Sequence, residues 1–236
     1  HVYSRTAKDM RWVAMCYFQL QDDHQAVPFY QTAIYRGAKE AAIGLAHAYM
    51  FTERMDMVMP ELEKIDFETL RPQDKVYFLR VRSYYYEANA NLKDALNDAE
   101  LSWAIAQTVP DWVVLAPRIL LQLGILYGRM GKAQRSFWFF EQSLELASSE
   151  EQYGISLARI EVLILLGDYS NAREELEKID IISLSEKWHA LFYLRWGDVF
   201  WIERVLPKAI EMYDKAAVFA LENNLYGEEI IARINL

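Results

Sequence analysis

The sequence predicts an all-α chain, a right-handed superhelical solenoid of antiparallel helix pairs. Three observations carry this. A five-residue word of small and aromatic positions recurs along the chain, as in Gly124, Tyr127, Ser136, Phe140 and Ser143. The turns between the two halves of the word carry helix-stop residues, Gly131 and Gly167 among them. Pro and Gly are sparse, 6 and 9, and mostly sit where helices begin or end.

The word has a physical meaning. Gly124 and Tyr127 are three apart and share a helix face, as do Phe140 and Ser143 on the next helix. Small residues let two helices approach, and the aromatics fill the space beside the crossing. The copies follow in order. Ala14, Tyr17, Ala26, Tyr30 and Ala33 form the first. Ala46, Tyr49, Val58, Leu62 and Ile65 form the second, without the small residues of its second helix. Ser83, Tyr86, Ala95, Ala99 and Ser102 form the third, short of one aromatic. Gly124 opens the fourth. The fifth, Ile160, Leu163, Ala172, Leu176 and Ile179, keeps only Ala172 as a small residue. Its turn has Gly167 to stop one helix and Asp168 to cap the next. Gly197, Phe200, Ala209, Tyr213 and Ala216 form the sixth. From Tyr226 the pattern restarts with Gly227 and Ala232 to Ile234, the first helix of a truncated seventh pair. The expectation is one continuous array over 1–236, cut from a longer protein, with His1 a scar of its expression.

Pro72, Pro117 and Pro207 suit first turns, and Pro110 a helix end; Pro28 and Pro60 fit less well.

This pattern resembles the tetratricopeptide repeat family, which is small–aromatic on a first helix and small–aromatic–small on a second. The first small positions, 14, 46, 83, 124, 160 and 197, are mostly spaced wider than the 34 residues of the usual repeat. Longer helices would absorb the excess, as in long-helix arrays of bacterial regulators.

The resemblance implies that first helices line an inner, partner-binding surface. Mapped onto this sequence, that surface takes Arg11, His47, Tyr77, Arg80, Tyr84, Arg118, Arg129 and Trp201 as candidate partner-binding residues. Tyr77, Arg80, Tyr84 and Glu87 make one stripe at helical spacing. Ile43, Ile125, Leu157 and Leu194 map to the same surface, and Glu161 and Asp198 would give its C-terminal half an acidic character. Such a surface suits an amphipathic helix or an extended segment with an acidic end. Arg80 and Arg118, on adjacent pairs, would hold the anionic part, with Tyr84 and Trp201 as apolar anchors. Domains of the family that grip chaperone C-termini use a Lys/Asn set; the matching positions here contain no Asn, so that clamp is in doubt.

Composition narrows the function class. Net charge is −9 and the pI about 5.1, which argues against a nucleic-acid surface on this piece. No apolar run reaches the ~18 residues of a membrane span. A single cysteine, Cys16, excludes an internal disulfide and fits a cytoplasmic, reducing compartment, with the periplasm left open. The four histidines show no metal-ligand spacing, and no phosphate loop or nucleophile elbow is present. Carboxylate pairs such as Glu174-Glu175 read as solvated helix faces. The expectation is a protein- or peptide-binding scaffold without catalytic residue, cofactor or metal. The alternative is a sensor module of a larger bacterial regulator that binds a small effector or signalling peptide. Self-association through the truncated C-terminal helix is a further option.

Overall fold

In the computed structural model, residues 6–19, 23–52, 54–110 and 112–222 are described. They contain twelve α-helices and no strand. The seventh unit expected from Tyr226 lies outside them. The helices are α1 Ala7–Gln19, α2 Asp23–Tyr35, α3 Ala41–Met50, α4 Val58–Leu62, α5 Pro72–Ala88 and α6 Leu92–Ala106. They continue with α7 Trp112–Arg129, α8 Ala133–Leu146, α9 Ser149–Leu165, α10 Tyr169–Glu177, α11 Glu186–Ile202 and α12 Leu206–Glu222. Consecutive helices pack as antiparallel pairs. The chain divides into two compact units, His1–Trp112 and Val113–Leu236. The expected continuity from one unit to the next remains an expectation.

The recurring word sits where the pairs touch. A Cβ on Gly124 would stand 3.1 Å from the Phe140 ring, and one on Gly197 only 2.4 Å from Tyr213. Gly44 of α3 makes the same close approach to Tyr30 of α2, a glycine contact outside the word. Where the small residue is Ser, its hydroxyl bonds a backbone carbonyl of the partner helix. Ser83 donates to Ala95 O (2.7 Å) and Ser136 to Gly124 O (2.6 Å). Ser102 donates to Val76 O and Ser143 to Pro117 O, acceptors at equivalent places in consecutive pairs. These buried hydroxyls are thus satisfied without water.

Four turns close in one way. The N–H groups of Asn91, Lys132, Asp168 and Val205 reach back to Tyr86, Tyr127, Leu163 and Phe200 carbonyls at 2.8–2.9 Å. The residue before each has positive φ: Ala90 (59°), Gly131 (72°), Gly167 (82°) and Arg204 (63°). This is the left-handed helix stop expected at Gly131 and Gly167. Asp168 caps α10 by accepting from Asn171 N–H, as expected. Ala90 and Arg204 hold the same conformation against their Cβ atoms. Arg204→Gly is expected to raise stability by about 0.5–1 kcal/mol, the steric relief exceeding the extra chain entropy, read as a higher urea midpoint.

Two expectations are corrected. Long helices do not absorb all the extra spacing. The second helices α4 and α10 are short, and 3-10 turns at Phe67–Thr69 and Ile181–Ser183 take up the chain instead. Both turns follow the same five residues, Leu62–Asp66 and Leu176–Asp180, both reading Leu-Glu-Lys-Ile-Asp. The aspartate caps each turn, accepting from Glu68 or Ile182 N–H. Pro117 is not in a first turn: α7 begins at Trp112, which places Pro117 inside the helix.

The second and third pairs of the two units therefore share one register. A single offset carries Leu62 onto Leu176, α5 onto α11 end to end, and Ala90 onto Arg204.

Candidate partner-binding site

Within the first unit, α3 and α5 pack together and bring four of the predicted residues into one cluster. His47 is at its centre. Its Nδ1 lies 2.9 Å from the Tyr77 hydroxyl, and its ring stacks on Tyr84 with centroids 6.1 Å apart and planes at 10°. Phe51, one turn on from His47, tilts against it at 5.5 Å and is 52% exposed. Tyr77 meets His47 edge-on at 5.6 Å. Helical spacing accounts for the arrangement: 77, 80, 84 and 47, 51 are each one turn apart on their own helix.

Arg80 lies one turn from Tyr84. It donates from Nη2 to the Tyr84 hydroxyl (3.3 Å) and its guanidinium sits 5.8 Å from that ring's centroid. Its Nε is buried without a hydrogen-bond acceptor, and no carboxylate pairs with it among the described residues.

Arg11 has a different fate. It bridges Glu40 (3.3 Å) and the buried Asp74 (3.2 Å), which Arg71 also holds at 2.7 Å. It ties α1 to the start of α5. A hollow of about 480 Å³ opens beside this network, lined by Lys39, Lys64, Arg71 and Asp74 among others, and contains none of the predicted residues.

The other candidates belong to the second unit. Arg118 is exposed and lies 3.4 Å from Glu151, the residue that closes the capping box of α9 with Ser148. Burial opposes the Glu151 charge, but the Ser148 hydroxyl and amide, with Arg118, hold its carboxyl below the usual range. Arg129 is 3.5 Å from Glu161. Trp201, 54% exposed, stands at the end of α11.

Glu161 and Asp198 do not form an open acidic end. Arg195, only 3% exposed, pairs with both, and Tyr213 donates to Asp198 at 3.1 Å. The sequence reading missed Arg195, which lies next to the mapped Leu194 on α11. Ile43, Leu157 and Leu194 are core residues, each at most 1% exposed; Ile125 is half-buried. Among the described residues no group of His, Cys, Asp or Glu is placed to hold a metal, and no helix is long and apolar enough to cross a membrane. Cys16 is exposed.

Solved structures that superpose on the chain are helical-repeat proteins. One is the Cut9–Hcn1 hetero-tetramer of the APC/C, with a TM-score of 0.68 and 13% identity over 99% of this chain and 43% of that one. A Rap protein complexed with Competence and Sporulation Factor gives a TM-score of 0.68 at 14% identity, over 92% of this chain and 67% of that one. A tetratricopeptide repeat protein from Parabacteroides merdae matches over nearly its full length: TM-score 0.52, 14% identity, 97% of this chain and 96% of that one. The fold is tetratricopeptide-like. No protein-family model and no curated protein matches the sequence. The tetratricopeptide-like chain spans less than half of the Cut9–Hcn1 chain that it resembles. α3 and α5 are the first helices of their pairs, and the His47 cluster lies where they meet.

Proposed function

We propose that the chain is a protein- or peptide-binding scaffold whose first unit contacts its partner through the face shared by α3 and α5. The observation that carries this is the aromatic cluster of His47, Tyr77 and Tyr84 with Phe51 open beside it. Exposed aromatic rings held in place by their neighbours lose little freedom on binding and suit an apolar anchor from a partner. The partner class is an amphipathic helix or an extended segment. An overall charge of −9 disfavours a strongly acidic partner except where a local cation receives it. Arg118 is left a smaller part than Arg80, because Glu151 already engages it.

The test is capture of partners from the native lysate. Phe51→Ser and Tyr84→Ala should each lose the captured protein, and Trp138→Ala, on α8 of the second unit, should keep it. Equal capture by all three variants would overturn the reading. A second reading, a sensor module of a bacterial regulator, is favoured by the likeness to the Rap protein, whose structure holds Competence and Sporulation Factor. The two readings part on whether the array controls an attached output domain.

A further inference from the structure

The shared register of the two units allows the hollow beside Asp74 to be compared with its counterpart. In the second unit the chain itself supplies a ring at the corresponding place. Trp188, which matches Asp74, lies against Gly154, where a Cβ would stand 2.6 Å from the indole. It packs in one apolar cluster with Tyr153, Ile179 and Leu184. In the first unit Glu40 stands in place of Gly154, and Arg11 engages both Glu40 and Asp74. None of the residues lining the hollow is aromatic, and its space of about 480 Å³ is bordered by Ile65 and Leu70, the counterparts of Ile179 and Leu184. The exit turns differ at the same place. Asp180 caps its turn with one carboxylate oxygen and receives the Ser183 hydroxyl on the other at 2.8 Å. Thr69, which matches Ser183, donates instead to the Asp66 backbone carbonyl at 2.8 Å. Asp66 caps with one carboxylate oxygen, and the other has no donor among the described residues. Asp66 is exposed at the border of the hollow.

Charge around the hollow is balanced, with Lys39, Lys64 and Arg71 against Glu40, Asp66 and Asp74. An anion therefore gains no net attraction there. A neutral, electron-rich ring suits the place better, because it covers apolar side chains and its face attracts ammonium and guanidinium groups. The space falls within the range of about 300–1,000 Å³ that holds small ligands. Among side chains, indole attracts cations most strongly, and its N–H needs an acceptor such as Asp66. We propose that the hollow receives a tryptophan side chain presented by a partner segment. The partner supplies in the first unit the ring that Trp188 supplies in the second. The site lies where α3 and α5 begin, ahead of His47 and Tyr77 on their helices. It is a second contact, independent of the aromatic face.

Three peptide probes test this in the full chain: acetyl-Gly-Trp-Gly-amide, acetyl-Gly-Phe-Gly-amide and acetyl-Gly-Leu-Gly-amide. Binding is followed by NMR through the backbone amides of 39–40 and 64–71. The tryptophan probe should shift these amides saturably and bind roughly tenfold more tightly than the leucine probe, with phenylalanine between them. Lys39→Trp and Thr69→Trp, both at exposed positions, each place a ring in the hollow from within the chain and should abolish binding. Phe51→Ser should bind the tryptophan probe as the parent does. Loss of binding in Phe51→Ser would move the ring to the aromatic face and overturn the proposal. Equal binding of the tryptophan and leucine probes, or shifts that avoid 39–40 and 64–71, would overturn it too. Binding of free indole without binding of the tryptophan peptide would assign the hollow to a small molecule and overturn the partner segment. The ranking of probes and the map of shifts are read on the parent chain, so they decide the matter even where a variant fails to fold.

Discussion

Arg195→Met should lower the stability of the chain by about 3–5 kcal/mol. Methionine keeps most of the side-chain volume, so the effect reports the lost charge and its hydrogen bonds. Asp198 is 5% exposed and would lose its guanidinium partner while the Tyr213 hydroxyl remains. A buried carboxylate that loses its counter-charge keeps its desolvation cost with a smaller return. Glu161 fares better, because Arg129 remains 3.5 Å away. The double variant Arg195→Met, Asp198→Leu should recover most of the loss, since removing both charges removes the stranded one. Urea unfolding with an unchanged slope is the measurement. If the single and double variants prove equally unstable, charge burial is not the cause.

Phe140→Ala should cost a similar amount, about 3–5 kcal/mol. The ring is fully buried, lies against Gly124, and packs in the core with Ile155 and Val162. Its removal opens a cavity that glycine cannot fill and that α7 and α8 cannot readily close, since Ser136 and Ser143 fix both ends of the crossing. Trp138, two residues earlier on α8 and 52% exposed, is the control. Trp138→Ala should change stability by no more than about 0.5 kcal/mol. Equal losses at the two positions would mean that the helix register derived from the word is wrong.

The helix pairs were legible because the word encodes contact geometry directly. Gly124 against Phe140 and Gly197 against Tyr213 are the close approaches that the small–aromatic spacing describes. The short helices α4 and α10 were hidden, since their second-helix words lose the aromatic and, apart from Ala172, the small residues that mark a crossing. The repeated Leu-Glu-Lys-Ile-Asp was the available signal for them. In the first unit, the stripe at 77, 80 and 84 anticipated which side chains share a face, because one helix sets that spacing. Pairings across helices were not legible. Nothing in the spacing says that Arg11 turns to Asp74, that Arg118 joins a helix cap, or that Arg195 draws in Glu161 and Asp198. Those choices depend on side-chain reach between elements, which a single sequence does not record.

The common offset that carries α5 onto α11 also bears on how such a chain can change its length. A helix pair with a truncated second member needs its own capped 3-10 turn to lead into the next pair, and that turn occurs once in each unit. The repeating unit is therefore larger than one pair. It includes the shortened helix, its Leu-Glu-Lys-Ile-Asp exit and the full-length pair that follows. Removal of the full-length pair alone would leave the exit turn leading into an end that it was never shaped for.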